Sequence, residues 1–161
     1  MIVVLADTSP LNYLIQIRCD HVLPALYERV LVPSAVVEEL RHPCAVAAVR
    51  AWLTCVPPWL AVEQVTEAAD ARLARLDPGE RQAIQLAKRE HADLLLMDER
   101  LGVRIAREQG LAVTGTLGVL LQAARRHLVD VEKALTDLQS TDFRCSPRVI
   151  EEVRRRASAS T

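Results

Sequence analysis

Residues 76–100, "LDPGERQAIQLAKREHADLLLMDER", set a helix, a strand and two carboxylates in a fixed order. Asp77-Pro78-Gly79-Glu80 reads as a helix start, with a capping Asp, proline at the first helical position and Glu three residues after the cap. Glu80, Ala83, Ile84 and Ala87 follow the i, i+3, i+4, i+7 spacing of a core-facing stripe, so a carboxylate stands where an apolar residue belongs. "DLLLM" (93–97) is a short apolar run, a strand that stops at Asp98.

The same grammar recurs outward from this stretch. "IVVLA" (2–6) is a strand that ends at Asp7, and Ser9-Pro10 reads as the cap and first position of the helix "PLNYLIQI". "RVLVP" (29–33) is a second strand, after which Ser34 caps "AVVEEL". "LAVEQV" reads as a short edge strand and "LAVTG" as the last central one. Helices are expected in "HVLPALY", "AVAAVRAWL", "EAADARLARL", "RLGVRIAREQG" (closed by Gly110) and "LGVLLQAARRH". Two more follow from about residue 130, before a tail, 157–161, that reads as frayed. Strands alternating with helices predict one α/β domain over residues 1–161, with a mainly parallel sheet covered on both faces. Half of the residues are apolar but only 3% are aromatic, so Leu, Val, Ile and Ala must build the core.

Bulk chemistry narrows the function only slightly. Twenty basic residues against 21 acidic ones leave a net charge of −1, which neither favours nor excludes a nucleic-acid partner, since a local patch is enough. Cys19, Cys44, Cys55 and Cys145 form no CxxC pair and have no His at zinc-finger spacing, so they read as small core or surface thiols. No GxGxxG follows the first strand and no GxxxxGK[ST] occurs, which removes both phosphate-loop readings. The first apolar run lacks a basic leader and is too short to span a bilayer, so the expectation is a cytoplasmic protein with no membrane partner.

The acids carry the most information. In a parallel sheet, the strand C-termini and the helix N-termini after them meet along one edge, where ligands bind. Alone, Asp7 reads as a turn or cap residue. Glu38 and Glu39 open the helix after the second strand. With Val36, Val37 and Leu40 on its buried face, Glu39 lies about 110° from that face's centre and Glu38 about 150°. Glu39 is thus expected to lean over the sheet edge, with Glu38 in water. Glu80 is explained equally by the capping box and by a place in the cleft. Asp98 ends its strand as Asp7 does, and Glu99 after it suits a helix N-terminus. Asp7, Glu39, Glu80 and Asp98 therefore converge on one edge as an all-oxygen set. A hard divalent cation, Mg²⁺ or Mn²⁺, would relieve their repulsion. Arg100, Arg104 and Arg107 share one face of the following helix and suit either solvent or phosphates.

Taken together, "LADTSPLNYL", "VLVPSAVVEEL", "LDPGERQAIQLAKREHADLLLMDER", "LAVTGTLGVLL" and "DFRCSPRVIEEV" resemble a PIN domain, the fold of small ribonucleases that include VapC-like toxins. The resemblance implies a three-layer α/β/α fold and an Mg²⁺- or Mn²⁺-dependent endoribonuclease, the toxin of a type II toxin–antitoxin pair. Asp7, Glu39, Glu80 and Asp98 match its four acids, Glu80 standing where many relatives have Asp. Ser9 matches a supporting hydroxyl, and Thr116 a polar residue after the fifth strand. RNA, a small antitoxin and a second copy of the chain are the implied partners. Leu120 and Leu121 add to the dimer expectation, as apolar residues beyond what one sheet face needs. Two alternatives stand beside the nuclease: a binding or regulatory module of the same fold without turnover, and a receiver-like signalling domain. The second lacks its acid pair after the first strand and its Lys after the last.

Overall fold

The computed structural model describes residues 2–159. Five strands, β1 (Val4–Ala6), β2 (Val30–Pro33), β3 (Leu60–Glu63), β4 (Leu94–Leu96) and β5 (Val113–Thr114), form one sheet in the order β3-β2-β1-β4-β5. Every neighbouring pair is parallel; Val4 lies beside Val30 and Leu94, and Ala6 beside Leu96. Helices α1 (Thr8–Gln16), α2 (Val22–Tyr27), α3 (Ser34–Arg41), α4 (Ala47–Trp52), α5 (Pro78–Arg89), α6 (Arg100–Glu108), α7 (Thr116–Arg125), α8 (Val131–Gln139) and α9 (Pro147–Ser158) complete the described residues.

Alternation along each strand divides the core into two layers. Val4, Ala6, Val30, Val32 and Leu96 pack against α1 to α4, α7 and α8. Leu5 and Leu95, with Met97 just past β4, point the other way, against Ala83, Ile84 and Leu86 of α5 and Ile105 and Ala106 of α6. The result is the expected three-layer α/β/α architecture. Apolar strands without polar alternation are what a parallel sheet covered on both faces requires.

Several local expectations change. Helix α1 starts at Thr8 with Asp7 as its N-cap, so Ser9 and Pro10 lie inside the first turn rather than capping it. A proline is tolerated there because the first-turn N–H groups have no helical acceptor. Helix α3 likewise starts at Ser34 itself, whose hydroxyl donates to Gln64 Oε1 at 3.2 Å. "EAADARLARL" holds only a 3₁₀ turn, Ala71–Leu73, because Leu73 and Leu76 are its only buried anchors and Asp70 caps the turn by accepting from Arg72 N. The tail is helical through Ser158; Ser160 and Thr161, where fraying is expected, lie outside the described residues.

Leu120 and Leu121 do not face outward. Leu120 packs into the sheet layer, and Leu121 lies with Leu135, Ile150 and Val153 beneath α8 and α9. Helix α9 thus covers within the chain the surface that suggested a second copy. Leu120→Ala should therefore cost about 2–5 kcal/mol of unfolding free energy in urea titrations. A cost under about 1 kcal/mol, the range of solvent-facing sites, would place Leu120 outside the core.

Candidate active site

The chain leaves β1 towards β2 and β3 on one side of the sheet and returns to β4 and β5 on the other. In a parallel sheet a ligand crevice is expected at such a reversal, here beyond the C-terminal ends of β1 and β4. Asp7 directly follows β1, and its N–H donates to Leu96 O of β4 at 2.8 Å. Asp98 lies two residues past the end of β4. These two acids flank the reversal because the strands end there.

Each acid is held differently. Asp7 is 3% exposed, and its Oδ1 is buried with no hydrogen-bond partner. Glu39 is half-buried: Oε2 accepts from Thr8 Oγ1 at 2.7 Å and Oε1 from Gly79 N at 3.2 Å. Glu38, its neighbour, is exposed, as the wheel predicts. A Cβ on Gly79 would stand 2.5 Å from Glu39 Oε1, so a larger residue here would displace this carboxylate from its bond to the start of α5. Glu80 is 9% exposed and takes part in the capping box: Asp77 Oδ1 accepts from Glu80 N at 2.8 Å, and Glu80 Oε2 accepts from Asp77 N at 3.2 Å. The cap and the buried placement coexist. Asp98 accepts from Thr116 N at 2.8 Å and Thr116 Oγ1 at 2.6 Å, and a Cβ on Gly115 would stand 2.5 Å from Asp98 Oδ1.

Charge shows which acids share a neighbourhood. Burial pushes the Asp7 carboxyl from 3.8 up to about 8; the Thr8 backbone N–H opposes this, and the charges of Glu80, Asp77 and Glu39 add to it. Burial likewise raises Glu80 to about 7, with Asp77, Glu99 and Glu39 contributing repulsion. Glu39 is raised by burial and by Asp77, against its bonds from Thr8 and Gly79. Asp98 is raised by burial, against two bonds from Thr116. Asp7, Glu39 and Glu80 thus repel one another as a group, whereas Asp98 stands at the same edge tied to the start of α7.

Among the described residues, no three His, Cys, Asp or Glu side chains lie close enough together to enclose a cation as they stand. The chemistry of the donors nevertheless fits one. The set is all oxygen, and Asp7 Oδ1 lacks any partner in a buried position, which is the kind of donor a hard cation prefers.

The remaining residues divide. Thr116 is fully buried and holds Asp98. Glu99 is exposed and acts on Glu80 by charge. The hydroxyl that reaches a site acid from Thr8-Ser9 is Thr8's; Ser9 makes no side-chain hydrogen bond among the described residues. Sequence reasoning also took Asp77 for a cap alone, although its charge bears on Asp7, Glu39 and Glu80. Its D-x-x-E spacing carried that signal, because a capping box brings both carboxyl groups to one helix end. Arg100, Arg104 and Arg107 line a 390 Å³ cleft that also takes in Asp98, Val103 and Glu108. A larger cleft of 670 Å³ lies near the C-terminal end of α1, lined among others by Arg18, Cys19, Lys133 and Asp137, and contains none of the four acids.

The acid group makes stability depend on pH. In the unfolded chain Asp7 and Glu80 ionise near 4, whereas the folded chain keeps their protons up to about 8 and about 7. The folded state therefore binds more protons across this window, so its stability falls as pH rises through it. Without divalent metal, the melting temperature should fall between about pH 5 and about pH 8. Asp7→Asn should flatten that fall and melt above wild type at the upper end. A melting temperature that climbs with pH would contradict a buried acid group.

A family model described as a PIN domain matches residues 2–159. Neither the curated proteins nor the solved structures searched contain a match. The family match spans nearly the whole chain, and the three-layer fold with acids beyond β1 and β4 agrees with it. The chain belongs to the PIN-domain family, whose fold is of the nuclease type.

Proposed function

We propose that this protein is a metal-dependent endoribonuclease in which Asp7, Glu39, Glu80 and Asp98 are the catalytic acids. The observation that carries the reading is the buried, unpartnered Oδ1 of Asp7 amid the like charges of Glu39, Asp77 and Glu80. A purely structural site has no use for such repulsion. Perturbed carboxylates in a crevice at a sheet's reversal point are what metal-assisted hydrolysis needs.

Asp7 and Glu80 would hold Mg²⁺ or Mn²⁺, with Glu39 and Asp98 completing the site directly or through water. When bound, the cation supplies water activation and neutralises charge on the phosphodiester. The protein's own part is positional. Thr8 and Gly79 fix Glu39, Thr116 fixes Asp98, and the capping box fixes Glu80. Thr116 has a further effect: both of its bonds favour the ionised form of Asp98 and so oppose the upward push of burial. Asp7 lies nearly without solvent at the crevice floor, so a flexible single strand reaches it more readily than a rigid duplex. That favours single-stranded or looped RNA. The role of a toxin checked by a small antitoxin rests on the resemblance to VapC-like proteins.

One observation favours the alternative, a binding module without turnover. Both oxygens of Glu39 and both of Asp98 are already engaged by protein donors.

Turnover separates the two. With Mg²⁺ or Mn²⁺ the purified protein should cleave single-stranded RNA, and EDTA should abolish cleavage. Asp7→Asn and Asp98→Asn should each lower the rate by about 100-fold or more, comparable to losing one preorganised electrostatic group. Glu39→Gln should impair cleavage, whereas Glu38→Gln, on the exposed side of the same helix, should not. Cleavage that survives EDTA and Asp7→Asn together would end the nuclease reading.

A further inference from the structure

Helix α6 starts at the acid edge and runs back along the flank of the sheet. Its first turn lies against the site: a Cβ added at Gly102 would stand 2.7 Å from Met97 Sδ and 3.8 Å from Glu80 Cδ. Gly102, Ile105 and Ala106 are buried and form the face that holds the helix there. Towards its other end, Arg107 Nη2 donates to Val113 O at 3.4 Å, which ties α6 to the outermost strand, β5.

The outward face carries a different pattern. Arg100, Val103, Arg104 and Arg107 follow the i, i+3, i+4, i+7 spacing of a docking face, yet all three arginines are exposed. With Asp98 and Glu108 they line one cleft of 390 Å³, so a shared cavity joins the guanidinium groups to a site acid. Helix stability does not account for this placement. Arg100 is the first residue of α6, where the helix dipole disfavours a cation; no acid stands in that turn, and Glu99 makes no side-chain cap. Arg100 makes no hydrogen bond or ion pair among the described residues. Arg104 has a single solvent-exposed pair, Nε to Glu108 Oε1 at 3.9 Å, of a kind worth little in water. Arg107 commits one donor to Val113 and leaves most of its fork open.

We propose that Arg100, Arg104 and Arg107 form a phosphate track that leads a single-stranded nucleic acid away from Asp98 along α6. From Arg100 to Arg107 the helix rises about 10 Å. That is the rise of about three nucleotides of one strand. The track sets the side of the acid edge by which flanking nucleotides leave: past β4 and β5, with the β2 and β3 side unused. A planar guanidinium with five donors suits each phosphate it meets. Glu108 limits the affinity, because it holds Arg104 and repels the phosphates. This deepens the nuclease reading and rests on it, since the strand must enter at the acids.

The test is binding of a fluorescently labelled single-stranded RNA dodecamer, followed by anisotropy in EDTA across a salt series. A buffer near pH 6 leaves Asp7 and Glu80 protonated, so the acids repel the strand least. Arg104→Ala and Arg107→Ala should each weaken binding about tenfold at low salt and lower the salt slope by about 0.7, the loss of one contact to a single strand. Replacing all three arginines by Ala should lower the slope by about 2. Arg104→Lys should keep the slope but recover only part of the affinity. Glu108→Gln should tighten binding a few-fold, a gain that no folding defect produces. Arg125→Ala removes an exposed charge at the far end of α7, about 13 Å along the helix from Thr116, and should change neither affinity nor slope. A slope unchanged in the triple variant, or lowered as much by Arg125→Ala as by Arg104→Ala, would overturn the track. A lowered slope in the triple variant, with no Mn²⁺-dependent RNA cleavage by wild type, would instead overturn the nuclease reading and keep the track.

Discussion

Asp7 is a carboxylate at the end of the central strand with almost no access to water and one oxygen without a partner. Burying such a group is among the most unfavourable acts available to a small domain. Everything around it increases that cost, because Glu39, Asp77 and Glu80 add negative charge to the same neighbourhood. The folded chain answers by retaining protons, and a divalent cation would answer better. The fold must therefore be stable enough elsewhere to tolerate the site. Its aliphatic layers provide that: α5 and α6 seal one face of the sheet with Ala83, Ile84, Leu86 and Ile105, and α1 to α4 seal the other.

Helix starts do the positioning. Helix α1 begins at Asp7, α5 at Asp77, and α7 directly after Gly115, so three N-termini point at one crevice. Their free N–H groups and partial positive charge suit carboxylates. Gly79 N meets Glu39, and Thr116 N, next to Gly115, meets Asp98; a Cβ added at either glycine would stand 2.5 Å from the acid's oxygen. Glycine here admits backbone to carboxylate at hydrogen-bond distance. These contacts lower the cost of burial without removing it, since Glu39 and Asp98 both stay raised.

Most of this was legible in the sequence. Unbroken apolar runs of three to five residues between turn signals read as strands covered on both faces, and each acid was visible as a strand terminator or within the first two turns of a helix. The wheel separated Glu39 from Glu38 because three apolar neighbours fixed the buried face of α3. What stayed hidden depended on distance across the sheet. Thr8 and Ser9 are indistinguishable in sequence, and only the packing of α3 against α1 selects the hydroxyl that reaches Glu39. Asp77 looked sufficient as a cap, so its charge went unread. Leu120 and Leu121 looked surplus because α9, which buries Leu121, comes thirty residues later. "EAADARLARL" has the propensity of a helix but too few apolar anchors to dock as one, and tertiary context overrode it.

The C-terminal helices then take on more than a structural role. Helices α8 and α9 close the hydrophobic end of α7, where Leu121, Leu135, Ile150 and Val153 meet. By holding α7, they hold Thr116 at its first turn, and through Thr116 they hold Asp98. The loop joining them also carries Phe143 onto Tyr13, at the helix that Asp7 caps. One element pair thus reaches the crevice by two routes, through the α7 N-terminus and through α1. Because α9 packs on α7 rather than on the sheet, a small shift of α9 would reach Asp98 before it disturbed Asp7. The two strand-terminal acids, so alike in sequence, therefore differ in what governs them: Asp7 is set by the sheet, and Asp98 by the helices that lie over it.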